Sequence, residues 1–185
     1  MSEGSLRTTR LLLRRPQADD LDEIAALHGH PDVMRFIDNG RPVPREVVRT
    51  RDLAWLTADY GPGRGYWIAL ERDTGLFVGW FGLRPLPDRP EVLELGYRLR
   101  PEMWGRGLAT EGARLLVRHA LQTVGASEVF ATTMTVNHGS RRVLAKAGLS
   151  LQRTVYLEWP EPIPGSEYGD VEYAATPEGG GHPAG

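Results

Sequence analysis

The 185-residue sequence contains no cysteine. This absence excludes a disulfide framework, a thiolate metal site and a cysteine nucleophile. No apolar run approaches the roughly 18 residues that a membrane-spanning helix needs, and the first residues lack the apolar core of a secretory signal. We therefore expect a cytoplasmic protein that has no membrane partner.

Neither sign of charge is in clear excess, since 22 basic residues face 24 acidic ones. Proteins that bind nucleic acid usually carry a clear basic excess, so we expect no nucleic-acid partner. The five histidines form no His-Glu-x-x-His pattern, and His28 and His30 would face different directions on a helix. No metal site is predicted.

The length and the composition, which is 41% hydrophobic, are those of one globular domain. We place this domain at residues 6–176 and predict flexible termini at residues 1–5 and 177–185. The C-terminal end is rich in glycine and proline, which is typical of a disordered tail.

Hydrophobic periodicity and turn residues predict a mixed α+β fold. The predicted strands are 6–15, 66–70, 76–83, 91–99, 128–133, 149–159 and 168–176, and the main predicted helices are 19–28, 44–58, 108–124 and 137–147. The closely spaced strands in the middle suggest antiparallel hairpins. The order strand, helix, strand over 91–133 instead suggests a crossover unit, parallel if both strands share a sheet.

The loop Trp104-Gly-Arg-Gly-Leu-Ala109 lies between a predicted strand and a predicted helix. This order places free backbone N–H groups at a helix N-terminus, which favours an anion such as a cofactor pyrophosphate. Thr110 adds a hydroxyl and Arg106 a positive charge. The Rossmann and P-loop patterns are both absent. The alternative is that the glycines simply form a tight turn.

Three polar residues outside this loop are further candidates. Asn137 precedes a predicted helix, where Asn is also a favoured N-cap, and Ser140 follows in the first turn. Glu94 lies within an otherwise apolar strand, and strand alternation places it on the same face as Arg98. It either pairs with a nearby arginine such as Arg98 or faces a cleft beside the cofactor.

Taken together, these motifs resemble those of the GNAT superfamily of N-acetyltransferases, and the resemblance covers about residues 6–173. The family signature is Arg/Gln-x-x-Gly-x-Gly/Ala, to which Gly107 and Ala109 correspond, while Trp104 replaces the first residue. The sequences Trp104-Gly-Arg-Gly-Leu-Ala-Thr-Glu111, Glu94-Leu-Gly-Tyr97 and the Asn137-to-Gly148 segment are similar to those of the RimJ/RimL-type branch.

The resemblance implies a GNAT-type mixed, mostly antiparallel sheet of about six to seven strands flanked by about four helices. It also implies acetyl-CoA as the cofactor. Backbone amides of Gly105, Arg106, Gly107, Leu108, Ala109 and Thr110 would hold the pyrophosphate. The strand containing Tyr97 and Leu99 would pair with the pantetheine arm, Asn137 would bind that arm from the other side, and Trp104 completes the cofactor-binding set.

For catalysis, Glu94 is the candidate general base, either directly or through a water. Many family members place a tyrosine acid where this chain has Leu144, so Ser140 is the candidate to protonate or hydrogen-bond the leaving sulfur. Backbone N–H groups around Leu99 could polarise the reacting carbonyl.

The predicted function is direct acetyl transfer, in a ternary complex, to a primary amine that is a protein N-terminal α-amine or a small molecule. One alternative is an aminoglycoside- or polyamine-type acceptor, which would need an acidic cleft. The other is a non-catalytic CoA-binding or CoA-sensing module. The sequence is silent on oligomeric state, and a homodimer stays open.

Overall fold

The computed structural model describes residues 4–156, 158 and 161–177. Its strands form one sheet in the order β1-β2-β3-β4-β5-β6-β8-β7. The strands are β1 (Leu6–Arg7), β2 (Leu11–Arg14), β3 (Gly65–Glu71), β4 (Phe77–Pro85), β5 (Val92–Leu99), β6 (Glu128–Met134), β7 (Ser150–Val155) and β8 (Asp170–Ala175). Neighbouring strands are antiparallel except for the parallel pair β5 and β6.

The helices are α1 (Leu21–His28), α2 (Pro31–Met34), α3 (Arg45–Val47), α4 (Leu53–Thr57), α5 (Leu108–Arg118) and α6 (His138–Ala147). A π-helical segment, Val48–Asp52, joins α3 to α4, and a second one, His119–Val124, extends α5. The predicted helices 44–58 and 108–124 are therefore each one continuous helical stretch. Among the described residues, no helix has both the length and the apolar character needed to cross a membrane.

The predicted mixed α+β class with a mostly antiparallel sheet is confirmed. The sheet has eight strands rather than six to seven because the predicted strand at residues 6–15 is a hairpin. In its turn, the backbone N–H of Leu11 donates to the Thr8 hydroxyl at 2.8 Å. Residues 1–3 and 178–185, and Trp159 at the end of a predicted strand, lie outside the described residues, so the domain limits and flexible tails stay predictions.

Apolar side chains form a core on each face of the sheet. Helix α5 packs on one face, where Phe81, Leu93 and Leu116 are buried. Helices α1 and α4 pack on the other face, where Ile24 and Trp80 are buried. The two faces of β5 therefore belong to different environments, as its alternating pattern predicts.

The parallel contact between β5 and β6 is short. Only three residue pairs connect the strands, from Val92 with Glu128 to Glu94 with Phe130, although β5 continues to Leu99. Beyond this point the two strands separate. A gap therefore opens in the middle of the sheet, lined by backbone that pairs with no strand on that side.

Candidate functional site

The glycine loop leads directly into α5. Gly105 and Gly107 have φ angles of +71° and +78°, a left-handed conformation that other residues adopt at a cost. Gly107 is the N-cap of α5, and no side chain caps the helix. The first backbone N–H groups of α5 are therefore available to an anion.

Ion pairs fix this loop to the turn between β1 and β2 and to β3. Glu111, in the first turn of α5, accepts hydrogen bonds from the backbone N–H and the Nε of Arg10, at 2.9 and 2.7 Å. Arg10 Nη1 also donates to the carbonyl oxygen of Arg106 at 2.8 Å. The Arg106 guanidinium itself pairs with Glu71 on β3. Because its side chain pairs with Glu71, Arg106 contributes its backbone to the glycine loop and does not supply the positive charge that the sequence suggested.

A cleft of about 680 Å³ lies beside the loop and the gap between β5 and β6. We call it the glycine-loop cleft. Its lining includes most of the residues predicted to bind the cofactor, together with one of the predicted catalytic residues. They are Tyr97, Leu99, Trp104, Gly105, Gly107, Leu108, Ala109, Thr110, Asn137 and Ser140.

Asn137 combines the two roles that the sequence left open. Its side-chain oxygen accepts a hydrogen bond from the backbone N–H of Ser140 at 3.1 Å, which caps α6. The same residue also lines the glycine-loop cleft. Capping fixes the direction of the side chain and does not remove it from the cleft.

Ser140 contacts Tyr97 across the glycine-loop cleft. The Tyr97 hydroxyl lies 3.0 Å from Ser140 Oγ. Burial raises the pKa of Tyr97 to about 12, so this phenol keeps its proton at neutral pH and is able to donate to Ser140. When it does so, the Ser140 proton is free to point to another acceptor in the cleft.

Cations that the sequence reasoning missed also line the glycine-loop cleft. Arg142 and Lys146 lie four positions apart on α6, and Arg35 approaches from the segment after α2. A spacing of four residues places two side chains on one helix face. This spacing, after Asn137, is the signal by which the α6 pair could have been found.

Glu94 lies outside this cleft. It lines a second cavity of about 530 Å³ on the other face of β5. Glu94 does pair with a nearby arginine, but this arginine is Arg84 rather than Arg98, because Glu94 Oε2 accepts hydrogen bonds from Arg84 Nε and Nη2. Arg84 lies directly opposite Glu94 in the register of β4 and β5, whereas Arg98 lies four residues along the same strand.

Aromatic rings form the wall of this second cavity, which we call the aromatic cavity. Trp55 packs edge-to-face on Tyr66 at 4.7 Å and on Trp80 at 5.6 Å between ring centroids, and Tyr60 contacts Tyr66 at 5.5 Å. The lining residues are Asp38, Arg51, Asp52, Trp55, Tyr60, Tyr66, Trp80, Gly82, Arg84, Glu94, Gly96 and Arg98. Arg98 lines both cavities and forms part of the wall between them.

A buried polar group supports the aromatic wall from behind. The fully buried ring of His28 lies between Asp52 and Trp80. Trp80 Nε1 donates to His28 Nε2 at 2.9 Å, and His28 Nδ1 lies 2.6 Å from Asp52 Oδ2. Because the tryptophan N–H only donates, Nε2 carries no proton and the Nδ1 proton points to Asp52. The pKa of His28 is lowered, mainly by burial.

Comparisons with known proteins identify the family of this chain. Residues 10–150 match the family model described as an acetyltransferase (GNAT) domain. The FsC-acetyl coenzyme A-N(2)-transacetylase of Aspergillus fumigatus is 35% identical over 185 aligned positions. The alignment covers 96% of this chain and 78% of that protein.

Two solved structures are similar in fold. An acetyltransferase (GNAT family) from Bacillus anthracis is 18% identical, with a TM-score of 0.80 over 94% of this chain and 99% of that one. RimL, a ribosomal alpha-N-protein acetyltransferase solved with coenzyme A, is 15% identical, with a TM-score of 0.75 over 91% of this chain and 95% of its own. By its sequence and its fold, the chain belongs to the GNAT family and is an acetyl-transferring enzyme.

Proposed function

We propose that this enzyme transfers an acetyl group from acetyl-CoA directly to the primary amine of a small molecule. The observation that carries the proposal is the pair of cavities on opposite faces of β5, which share Arg98. A cofactor in the glycine-loop cleft and an amine in the aromatic cavity would meet at this strand. Transfer would then take place within a ternary complex.

The residues of the glycine-loop cleft fit acetyl-CoA. The uncapped N-terminus of α5 offers backbone donors for a pyrophosphate, and Arg142 and Lys146 add positive charge beside it. Backbone groups of Tyr97 and Leu99, along the gap in the sheet, suit an extended amide arm. When bound, the cofactor supplies an activated acetyl group on a thiol leaving group.

Two side chains are proposed to handle protons. Glu94 would accept the proton of the attacking amine, directly or through a water, and Ser140 would hydrogen-bond the departing sulfur. Among the described residues, Oε1 of Glu94 has no hydrogen-bond partner, since Arg84 binds only Oε2. The contact between Tyr97 and Ser140 would orient the serine proton. Backbone N–H groups near Leu99 would polarise the acetyl carbonyl.

The aromatic cavity favours a small molecule as the acceptor. Its volume of about 530 Å³ lies within the range of small-molecule sites. An aminoglycoside or polyamine is disfavoured because Arg51, Arg84 and Arg98 balance the three carboxylates of the lining. The fungal relative, whose name specifies an N(2) nitrogen of FsC, is also the more similar in sequence. RimL, whose name specifies a protein α-amine, is similar in fold.

The test is an acceptor screen that detects released CoA with a thiol reagent. The chain has no cysteine, so the reagent reports only CoA. The panel contains aliphatic and aromatic amines, amino acids, a short peptide with a free N-terminus and an aminoglycoside. We expect at least one small amine to release CoA well above the rate without acceptor and to gain an acetyl group by mass spectrometry. If acetyl-CoA binds but no small amine of the panel is acetylated, or only the peptide is, the proposal of a small-molecule acceptor is wrong.

A further inference from the structure

We infer that Arg98 binds a carboxylate of the acceptor, so that the preferred substrates are amines that carry a carboxylate close to the amino group. An α-amino acid is the simplest example. This inference rests on the proposed function, because it names the chemical class of the amine. Three features support it, namely the position of Arg98, its lack of an ion-pair partner among the described residues and the charge balance of the aromatic cavity.

Arg98 lies between the aromatic cavity and the glycine-loop cleft and lines both. It follows Tyr97 on β5, opposite Trp80 of β4 in the strand register. Its guanidinium carbon lies 5.3 Å from the Trp80 ring centroid, and its Nη1 lies 3.7 Å from Met34 Sδ. The half-buried side chain is thus held between an aromatic ring and a thioether, beside both cavities.

The other charges of the aromatic cavity are mostly paired. Arg84 binds Glu94, and Arg51 binds Asp52 at 2.6 Å, with His28 on the other oxygen of that carboxylate. Among the described residues, Arg98 has no carboxylate within ion-pair distance, and its remaining polar contact is the Met34 sulfur. Desolvation lowers the pKa of Arg98, although an arginine stays charged at any ordinary pH.

A desolvated cation without a partner favours an anionic ligand. The planar guanidinium matches a carboxylate in a bidentate geometry, and such charge-assisted hydrogen bonds are among the strong ones. The rings of Trp55, Tyr66 and Trp80 provide an apolar surface beside it. Asp38, the other unpaired charge of the lining, is exposed, so water screens it.

The experiment compares leucine with leucinamide and 3-methylbutylamine, which share one side chain and differ only at the carboxylate. Phenylalanine, phenylalaninamide and 2-phenylethylamine form a second set. We expect kcat/KM for the amino acid to exceed that for its amide about tenfold or more, mainly through KM. Amidation lowers the pKa of the neighbouring amine and enlarges its neutral fraction, so this preference would run against the effect of amine basicity.

Three variants separate a direct contact from a general effect of charge. Arg98→Met should abolish the preference for the carboxylate, whereas Arg98→Lys should keep part of it. Arg51→Met removes the same charge from the same cavity but from a residue that is already paired, so it should leave the preference in place. Thermal unfolding of Arg98→Met should occur at or above the temperature of the parent protein, because an uncompensated charge is removed.

The outcomes distinguish this inference from the proposed function. If both sets of amines are acetylated and the amino acids show no advantage over the amides, Arg98 does not bind a carboxylate, but the enzyme remains an amine acetyltransferase. Equal loss of preference in Arg98→Met and Arg51→Met would also overturn the inference. If no amine of the wider acceptor screen is acetylated either, the proposed function fails and the inference fails with it.

Discussion

At the scale of single residues, the charges of the aromatic cavity divide into paired and unpaired groups. Glu94 belongs to the paired set, because Arg84 holds one of its oxygens from the adjacent strand. The pair fixes the carboxylate on the face of β5 opposite the glycine-loop cleft. A fixed carboxylate whose second oxygen is open to the cavity is suited to accept a proton from a bound amine.

Glu94→Gln should lower kcat roughly 100-fold if Glu94 is the general base. The substitution keeps the shape of the side chain and removes its ability to take up a proton. The measurement is the pH dependence of kcat with a saturating small amine. Glu91→Gln, an exposed neighbour just before the same strand, is the matched control and should behave as the parent does. Near-normal turnover of Glu94→Gln across the pH range would exclude Glu94 from the mechanism.

Sequence patterns predicted single residues best where a motif also fixes the backbone. Helix capping predicted the place of Asn137 before α6, and the glycines predicted the turn into α5, whereas the roles of these residues and of Ser140 in the site came from the family resemblance and stay predictions. The partner of Glu94 was not predictable in this way, because the register of β4 against β5 decides it. The Arg106 side chain was misplaced for a similar reason, since its partner Glu71 lies on a strand 35 residues earlier.

At the scale of secondary-structure elements, α5 connects the glycine loop to the core. Gly112 lies on the buried face of α5 against Phe81 of β4, and a Cβ at this position would lie 2.3 Å from the ring. The absence of a side chain therefore sets how closely the helix approaches the sheet. This distance in turn positions the N-terminus of α5 beside the gap between β5 and β6.

Gly112→Ala should lower the free energy of unfolding by about 1–3 kcal/mol, because the added methyl group overpacks the contact with Phe81. Urea denaturation measures this change. Gly139→Ala is the control, since a Cβ at this helical glycine meets only the Asn137 side-chain oxygen, at 3.7 Å. Equal effects of the two substitutions would contradict a specific contact between α5 and β4.

Gly107→Ala should weaken acetyl-CoA binding about tenfold, because the left-handed backbone at φ +78° costs an alanine roughly 1–2 kcal/mol. Relaxation of that strain would turn the backbone donors away from the anion. Gly125→Ala carries the same strain at φ +75°, with open space around its Cβ and no contact with the glycine-loop cleft. Titration of both variants with CoA checks the prediction, which fails if both bind CoA as tightly as the parent does.

The existence and order of most elements could be predicted from the sequence, since apolar periodicity and turn residues act locally. Two features could not. The π-helical segments Val48–Asp52 and His119–Val124 add no distinct pattern of apolar residues. The first strand divides at a turn closed by Thr8, within a run that alternation alone describes as continuous.

At the scale of the whole molecule, the buried contact of His28 with Asp52 and Trp80 connects the two layers that enclose the aromatic cavity. His28 belongs to α1, Asp52 to the segment before α4, and Trp80 to the sheet. Protonation of His28 would place a hydrogen on Nε2 against the N–H of Trp80. The fold therefore favours the neutral imidazole, in agreement with its lowered pKa.

The free energy of unfolding should consequently fall as the pH falls below about 6.5, the ordinary pKa of histidine. Above that pH both states leave His28 neutral. Below it the unfolded chain takes up a proton that the folded protein resists, so stability decreases by up to about 1.4 kcal/mol per pH unit for this one group. The lowered pKa of Asp52 acts in the same direction at more acidic pH.

Urea unfolding at pH 7.5, 6.5 and 5.5 tests this linkage. His28→Gln should be less stable at pH 7.5, because the contact is disturbed, but its stability should change less between pH 7.5 and 5.5. His30→Gln, a substitution of the nearby partly exposed histidine, should keep the slope of the parent. The same slope in His28→Gln would mean that other groups determine the acid sensitivity.

The parallel direction of β5 and β6 also follows from the sequence at this scale, because two strands of one sheet that are joined by a helix favour a parallel crossover. The limited extent of their pairing does not follow, since nothing in the composition of either strand indicates where contact ends. The aromatic cavity depends on long-range packing, because its rings come from α4, β3, β4 and the segment between α4 and β3.

The three residue pairs between β5 and β6 have a consequence for the energetics of the molecule. They are the only ladder, within the described residues, that connects strands β1 to β5 with strands β6 to β8. A ligand that bridges the gap would add hydrogen bonds at this short junction and would bind only the folded state. When the free ligand concentration is 100 times the dissociation constant, binding would raise the free energy of unfolding by about 2.7 kcal/mol. The resistance of the enzyme to unfolding would then rise and fall with the supply of its acetyl donor.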